Sequence, residues 1–460
     1  MFKTLKNAWK TPELQKKMLF TLFIVLLYRL GASLVVPYVD GDISNGFNGQ
    51  YGDTILGLMG ILSGGALQHA TLFALSVSPY ITASIVMQLL TIAIPPLERM
   101  AKDGANGQKK INMITRFVTV ALALVTSVGY SFILRDGYDY YDASGAKVHV
   151  DYLVDSVLEG SGVPLWFALV VINACFCAGA ALVMWLAELI NEKGIGNGIS
   201  VILCVNIIAS FPSFFTTLVS GITDGTWWIG AIVAAGVVIV AVAAIGFIIF
   251  VTNSERRIPI QYAKRVVGRK MYGGQSTNLP IKLNMTGVMP IIFASSIVSI
   301  PATIATFIKN PENGFVQFVE NFFGPQTWEY LVVFLILTVA FSYFYVLISF
   351  NPVEVANNIN SNGGAIPGHR PGRPTVQYIN RILKRVTLIG AFFLCIVAGV
   401  PMLVTVITSA LSNAGVSVPA GLGILTFSGS SLLIVVGVVL ETIRDLEAQL
   451  SMRQSKGFLG

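Results

Sequence analysis

Apolar stretches long enough to cross a lipid bilayer recur ten times along the chain, and they constrain its fold more than any other feature of the sequence. A transmembrane helix needs about 20 consecutive, mostly apolar residues. Charged residues make up 12% of the chain, whereas soluble domains carry about 25%. Because backbone polar groups inside lipid must be satisfied within the spanning segment, each stretch is expected to be helical. The sequence therefore predicts an all-α polytopic membrane protein with ten transmembrane helices.

The ten stretches divide into two groups of five. The predicted spans are 18–36, 73–94, 117–134, 165–190 and 198–219 in the first group, and 228–251, 289–308, 330–350, 386–411 and 424–440 in the second. Since five is an odd number, the two groups cross the membrane in opposite orientations. This is the arrangement of an inverted repeat, in which the functional site lies between the halves. We expect an N-terminal half, residues 1–222, and a C-terminal half, residues 223–460.

The distribution of lysine and arginine tests the number of spans. With ten spans, 26 of the 30 basic residues fall on the side of the two termini, three fall on the other side, and Arg29 lies within the first span. Cytoplasmic loops are enriched in Lys and Arg, so both termini are expected to face the cytoplasm. Counting the apolar stretch 54–68 as an eleventh span would reverse every later loop. That stretch is therefore expected to enter the membrane without crossing it.

Residues 54–68 are too short to span and are rich in glycine. Gly57, Gly60, Gly64 and Gly65 each weaken a helix by up to about 1 kcal/mol relative to alanine. The stretch leads into the second span, which we expect Pro79 to break. Half-length backbone at membrane depth is tolerated only where protein or a water-filled cavity surrounds it. The stretch is therefore a candidate for an element that sits inside a pore.

The predicted spans almost lack the ionisable side chains on which ion-coupled transporters depend. Arg29 is the exception within a span, and its partner is left open between a carboxylate, the membrane surface and another chain. The three histidines do not form a catalytic set with serine and aspartate, and the four cysteines lie in apolar runs without metal-ligand spacing. We therefore expect no enzyme activity, no metal and no cofactor. A hydrophobic constriction can gate a channel without any charged group.

Three segments outside the spans carry further information. The loops 253–284 and 351–385 are basic and longer than membrane insertion requires, so they are expected to contact a partner. The sequence Gly194-Ile-Gly-Asn-Gly198 lacks the lysine and hydroxyl residue of a phosphate-binding loop. It is expected to form a tight turn into the fifth span, because glycine readily adopts left-handed backbone conformations.

Several long motifs occur in one order along nearly the whole chain. They are Leu62-Ser-Gly-Gly-Ala-Leu67, Ser78-Pro-Tyr-Ile-Thr-Ala-Ser-Ile85, Gly194-Ile-Gly-Asn-Gly-Ile-Ser200, Glu255-Arg-Arg257, Asn284-Met-Thr-Gly-Val-Met-Pro290, Ile366-Pro-Gly-His-Arg-Pro-Gly372 and Gly429-Ser-Ser-Leu-Leu-Ile434. In these motifs the chain resembles the SecY family, whose members are the large, channel-forming subunits of bacterial protein translocases.

The resemblance implies an hourglass-shaped pore between two halves. The implied pore ring consists of Val77, Ile81, Ile199, Leu203, Ile292 and Ile434. A plug helix, residues 54–68, would close the pore from outside with Leu56, Leu58, Ile61, Leu62, Gly64, Gly65 and Leu67. Most ring residues in the family are isoleucines, and Val77 and Leu203 keep the ring apolar.

The resemblance also implies a lateral gate between spans two and three on one side and spans seven and eight on the other. Pro79, Gln88 and Pro290 would lie in the gate helices, where the two prolines are expected to break the backbone hydrogen-bond ladder, either to permit bending or as static kinks. Such a gate would release signal sequences and transmembrane segments of nascent polypeptides into the membrane lipids.

The implied partners are the SecE and SecG subunits, the SecA ATPase and the ribosome. Arg256, Arg257 and Arg370 match basic positions that dock SecA or the ribosome, while His369 replaces a residue that is more commonly apolar. The chain is thus expected to be a passive channel in the bacterial cytoplasmic membrane, which translocates secretory polypeptides and inserts membrane proteins. The inverted halves and the broken helix also fit a secondary transporter of a small solute, and an intramembrane enzyme and an assembly scaffold stay open as further alternatives.

Overall fold

The computed structural model describes residues 2–40, 59–60, 63–141, 147–150, 152–154, 163–212, 227–262, 265–267, 270–272, 276–306, 314–324, 327–413 and 420–456. Across these ranges the helices are α1 Phe2–Lys10, α2 Pro12–Gly31, α3 Ser78–Ala93, α4 Pro95–Lys102, α5 Ala105–Asp136, α6 Leu165–Lys193, α7 Gly198–Ala209, α8 Trp227–Asn253, α9 Met289–Thr306, α10 Gly314–Phe323, α11 Trp328–Ser349, α12 Pro352–Ser361, α13 Arg373–Asn413 and α14 Ala420–Lys456. The strands are β1 Tyr138–Tyr141, β2 Lys147–Val150, β3 Glu255–Tyr262, β4 Arg265–Val267, β5 Lys270–Tyr272, β6 Ser276–Lys282 and β7 Gly364–Ala365.

The chain forms two compact units. The first comprises Met1–Gly230, Ser295–Tyr330 and Val438–Gly460, and the second comprises Ala231–Ala294 and Leu331–Gly437. The predicted division after residue 222 stays a prediction.

Each of the ten predicted spans overlaps one helix: α2, α3, α5, α6, α7, α8, α9, α11, α13 or α14. Among the described residues, four helical segments are long and apolar enough to cross a membrane: Asn106–Arg135, Leu165–Lys193, Trp328–Ser361 and Arg373–Ala410. The bent pair α3 and α4 would make a fifth if it is taken as one span. The mostly helical membrane architecture is therefore confirmed, with short strands added in the connections.

The prolines of the second and seventh spans do not interrupt their helices. Pro79 lies in the first turn of α3, and Pro290 is the second residue of α9. A proline in the first turn replaces an N–H that has no helical partner there, so no ladder hydrogen bond is lost. The expectation that these prolines break the hydrogen-bond ladder inside their helices is therefore wrong, while bending at Pro79 and Pro290 stays a prediction. Inside the helices lie Pro301 in α9 and Pro401 in α13.

A proline does explain the end of α3. Ile94 precedes Pro95 and has φ −109° and ψ 112°, the extended conformation that a following proline ring favours. The chain therefore leaves the axis of α3, and α4 continues at an angle of 101°.

The connection between the predicted plug helix and α3 packs inside the first unit. The backbone N–H of Val36 donates to the carbonyl of Ala70, and the N–H of Leu72 donates to the carbonyl of Leu34. A core of buried side chains surrounds it: Val36, Val39, Leu67, Ala70, Ala74, Leu75, Ala123, Tyr130, Ile133, Leu134, Tyr152, Leu153, Ala168, Ile172, Phe176 and Ala180. We call residues 63–77 the connector.

The two long basic loops of the second unit fold into one structure. The antiparallel pair β3 and β6 joins the first loop into a hairpin, and β3 also pairs with β7 from the second loop. Along β3, Ile258 and Ile260 point inward while their neighbours are exposed. They pack with Ile281, Ile359 and Ile379 in a common core, which fixes both loops to the base of α13. We call this structure the loop platform.

Alanine substitutions at two helical glycines are predicted to have opposite effects on stability, because only Gly179 on α6 packs against the connector. A Cβ on Gly179 would lie 1.9 Å from the carbonyl oxygen of Leu72, whereas a Cβ on Gly236 in α8 meets no described atom within 4 Å. We expect Gly179→Ala to lower the free energy of unfolding by about 1–3 kcal/mol through overpacking. Gly236→Ala should raise it by up to about 1 kcal/mol.

The midpoint of thermal unfolding of the purified protein in detergent measures both effects. A midpoint that rises in Gly179→Ala would contradict the close packing of α6 on the connector.

Candidate functional site

In the first unit, the predicted ring residues form two pairs, each one helical turn apart. Val77 is the N-cap residue of α3, and its carbonyl accepts a hydrogen bond from the N–H of Ile81 at 3.0 Å. Both side chains are buried, with 1% and 7% of their surface exposed. Ile199 and Leu203 form the second pair on α7, where Leu203 is buried and Ile199 is partly buried.

The turn before α7 positions the second pair. The side chain of Asn197 accepts a hydrogen bond from the N–H of Ile199 at 3.2 Å and so caps the helix. Gly196 has φ +77°, and a Cβ on Gly198 would lie 2.0 Å from the carbonyl oxygen of Ala187 in α6. The predicted tight turn at residues 194–198 is confirmed, and its glycines allow both the left-handed backbone and the close approach of the two helices.

The other two ring residues lie in the second unit. Ile292 is in the first turn of α9, Ile434 is on α14, and both are buried. A Cβ on Gly437, one turn beyond Ile434, would lie 2.6 Å from Cγ1 of Val288, which is one turn before Ile292. The two helices therefore pack closely beside these residues. The structure thus places Val77 with Ile81, Ile199 with Leu203, and α9 beside α14 near Ile292 and Ile434. That all six residues form one closed ring stays a prediction.

The described part of the predicted plug helix ends earlier than expected. Leu56, Leu58, Ile61 and Leu62 lie outside the described residues. The expectation that helix continues to residue 68 is wrong, because Gly64 and Gly65 adopt φ +67° and +85° and the following residues form turns. The N–H of Gly65 donates to the carbonyl of Gly60, a bond that terminates helices at left-handed glycines.

Beyond the glycines, Leu67 is buried in the core of the first unit. Its carbonyl accepts a hydrogen bond from the hydroxyl of Tyr130 on α5. Gly64 packs against α7, since a Cβ there would lie 3.0 Å from Cα of Asn206 and 3.1 Å from Nη1 of Arg29. The guanidinium of Arg29 therefore lies beside Gly64, at the end of the predicted plug.

One polar cluster at this point was missed by the sequence reasoning. Ser76 Oγ accepts a hydrogen bond from Nδ2 of Asn206 at 3.0 Å and lies 3.4 Å from the hydroxyl of Tyr28. All three side chains are buried. The signal that could have found the cluster is the amide of Asn206 in an otherwise apolar helix, since a polar side chain inside the membrane needs a partner.

Two other polar groups lie along the helices of the first unit. Arg116 on α5 and Glu188 on α6 form a two-bond ion pair, with Nε–Oε1 at 2.9 Å and Nη2–Oε2 at 2.7 Å.

Gln88, predicted in a gate helix, has a buried Oε1 for which the described residues supply no hydrogen-bond donor. The assignment of Pro79, Gln88 and Pro290 to gate helices stays a prediction.

The three predicted docking arginines belong to the loop platform. Arg256 and Arg257 lie on β3 and are exposed, and Arg257 Nε is 2.7 Å from the Oε1 atom of Glu255. A pair this exposed adds little to stability. Arg370 is exposed between β7 and α13, in a turn where Gly368 and Gly372 adopt φ +83° and +101°.

The neighbour of Arg370 is fixed by an aromatic contact. The ring of His369 lies 4.0 Å, centroid to centroid, from the ring of Tyr378 on α13. The carbonyl of Arg370 accepts a hydrogen bond from the hydroxyl of Thr375 at 2.8 Å. The turn is thus fixed on both sides of Arg370, whose exposed side chain can bind a planar anion such as a carboxylate or phosphate.

The sequence is similar along nearly its whole length to proteins of known family. The sequence pattern described as SecY matches residues 71–443. The protein translocase subunit SecY of Streptomyces coelicolor is 41% identical over 465 residues, which cover 100% of each chain. The corresponding subunit of Mycobacterium bovis is 40% identical over 465 residues and 98% of each chain. That of Corynebacterium glutamicum is 37% identical over 465 residues, 98% of this chain and 99% of its own.

Solved structures with the same fold cover most of the chain. A structure described as that of a protein conducting channel gives a TM-score of 0.60 at 15% identity, over 94% of this chain and 92% of its own. A second structure, whose description refers to the plug domain of SecY and the closed state of the translocation channel, gives a TM-score of 0.60 at 16% identity. It also covers 94% of this chain and 92% of its own. Sec61 in a canine ribosome-channel complex gives a TM-score of 0.53 at 13% identity, over 94% of this chain and 92% of its own. At these identities the similarity shows the fold alone.

The contact of Gly64 with α7 predicts the effect of one methyl group. We expect Gly64→Ala to displace the plug segment, because the left-handed backbone strains an L-residue and its Cβ presses on the Asn206 backbone. The measurement is the ion conductance of the reconstituted closed channel, which should rise several-fold.

Gly104→Ala is the matched control. Gly104 also has a positive φ, +71°, but a Cβ there meets no described atom within 4 Å. Equal conductance in the two variants would show that the contact with α7 does not hold the plug segment.

Proposed function

The chain belongs to the SecY family, and from that premise we propose how its residues pass a polypeptide while holding back small ions. It is a multi-pass membrane protein, a non-enzymatic subunit of the protein-conducting channel of the translocase. The observation that carries the proposal is the pairing of large apolar side chains one turn apart at the start of α3 and on α7, where Asn206, one turn beyond Leu203, packs against Gly64.

In this proposal the pore ring consists of Val77, Ile81, Ile199, Leu203, Ile292 and Ile434. Such a ring offers a translocating chain no hydrogen bonds and no charge, so a segment of any sequence passes without being trapped. When the channel is empty, an apolar constriction excludes water and ions. Residues 54–68 then act as the plug on the outer side of the ring.

The lateral exit in this proposal uses α3 and α5 on one side and α9 and α11 on the other. An apolar signal sequence or transmembrane segment leaves there for the lipid, driven by burial of about 25 cal/mol per Å² of apolar surface. The buried Oε1 atom of Gln88 on α3, for which the described residues supply no donor, supports a helix that changes its neighbours, because a donor on another segment would satisfy it.

The loop platform is the proposed docking surface for a motor. Its exposed arginines suit both the phosphates of ribosomal RNA and the carboxylates of SecA. SecE and SecG are proposed as companion subunits. The excess of basic residues on one side supports a bacterial cytoplasmic membrane protein with both termini in the cytoplasm.

The proposed ring predicts a leak in polar variants. We expect Ile81→Asn to raise the ion conductance of the closed channel and the export of reporters with defective signal sequences, because an amide stabilises water in the ring. A shift of about 1.4 kcal/mol in the closed state corresponds to a tenfold change.

Ile92→Asn tests the same helix away from the ring, since Ile92 lies three turns further along α3 and is exposed. Planar-bilayer conductance and a secretion reporter measure both variants. If Ile81→Asn leaks no more than Ile92→Asn, Ile81 is not part of the ring.

The proposed docking surface predicts a block by charge reversal. We expect Arg370→Glu to reduce SecA-driven export at least tenfold without lowering the amount of folded complex, because the guanidinium is exposed and its side chain supports no core. Arg373→Glu, an equally exposed reversal at the start of α13, should reduce export less. Vesicle translocation assays with purified SecA measure the difference, and normal export by Arg370→Glu would remove Arg370 from the docking surface.

A further inference from the structure

We propose that Asn206, Ser76 and Tyr28 form a latch that holds the connector in the closed position and sets how readily a signal sequence opens the channel. The proposal rests on the role of residues 54–68 as the plug. It assigns a positioning role to three side chains outside the pore ring.

The latch joins three separate elements of the first unit. Tyr28 lies on α2, Ser76 is the last connector residue but one, and Asn206 is on α7. The hydroxyl of Ser76 is the common partner, at 3.0 Å from Nδ2 of Asn206 and 3.4 Å from the hydroxyl of Tyr28. Inside a membrane protein such bonds are not readily exchanged for water, so breaking them opposes any movement of the connector.

The connector is held in a backbone conformation that it would leave if released. Ser76 has φ +50° and Ala70 has φ +43°, both in the left-handed region that L-residues avoid. Strained conformations persist only where the surrounding structure determines them. The bonds to the hydroxyl of Ser76 and the bond from the N–H of Val36 to the carbonyl of Ala70 supply that determination, so the closed state stores strain whose release favours opening.

The latch lies between the plug segment and the ring. Asn206 contacts Gly64 through its backbone and Ser76 through its side chain, and Leu203 is one turn before it on α7. Val77 directly follows Ser76. A chain that separates α3 from α7 at the ring must therefore break the bond between Ser76 and Asn206, which frees the plug segment in the same step.

The first unit contains a matched pair that serves as a control. Asn173 on α6 donates from Nδ2 to Ser131 Oγ on α5 at 3.2 Å, the same chemistry between two helices. Neither residue belongs to the connector. Removing this partly buried pair tests whether an amide–hydroxyl bond elsewhere in the unit would give the same effect.

The experiment measures export of one reporter with an intact and with a defective signal sequence, in cells that express the complete translocase. The variants are Asn206→Leu, Ser76→Ala, Tyr28→Phe and the double variant of Asn206 and Ser76, with Asn173→Leu and Ser131→Ala as controls. We expect each latch variant to raise the ratio of defective-signal to intact-signal export about threefold to tenfold. Because Ser76→Ala already removes both contacts of the hydroxyl, the double variant should match Ser76→Ala, and the controls should stay within twofold of the wild type.

Two results would overturn the latch: ratios within twofold of the wild type in Ser76→Ala and Asn206→Leu, or an equal rise in the Asn173 control. Ser76→Ala and Tyr28→Phe remove one oxygen each, so they decide the question if Asn206→Leu fails to accumulate. Ile81→Asn is measured alongside. If it raises the ratio while the latch variants do not, the latch is wrong and the channel proposal stands. If the latch variants raise the ratio while Ile81→Asn does not, the latch is supported and the ring proposal fails.

Discussion

The structure of the first unit depends on one constraint: irregular backbone at membrane depth must find all its hydrogen bonds within the protein. Residues 63–77 are not helical, and the surrounding elements supply their partners. Hydrogen bonds to Leu34 and Val36, which follow α2, satisfy two backbone groups of the connector, and the hydroxyl of Tyr130 satisfies a third. Gly179 and Gly198 allow the helices around this segment to come within van der Waals distance of backbone atoms. The first unit is thus built around a segment whose backbone partners come from its neighbours.

Hydropathy and charge located the helices well, because the length of an apolar run and the bilayer thickness together determine where a span lies. The starts were less predictable. The second span begins at Ser78 rather than at residue 73, since Ser76 adopts a left-handed conformation that no propensity of serine indicates. The role of Pro79 was misjudged for the same reason: the effect of a proline depends on its position in the helix, and that position follows from where the helix begins.

The loop platform could not be derived from either loop separately. Each loop carries alternating or turn-rich sequence, but their pairing through β3 and β7 is a contact between segments far apart in the chain. The ring and docking residues came from the resemblance to the SecY family, because a buried isoleucine has no chemical mark that separates a pore from a core. Asn206 is the opposite case: its amide stands out in an apolar helix, yet its partner at Ser76 emerged only from the structure.

The pairing of β3 with β7 has a consequence for biosynthesis. Tyr262 is made long before Gly364, its partner in the sheet, so the first loop waits with an unpaired strand edge while α9, α11 and α12 are synthesised. Non-local pairing of this kind forms late, because the intervening chain must be closed into a loop first. A partly synthesised chain therefore lacks a finished loop platform until the residues of β7 have been made.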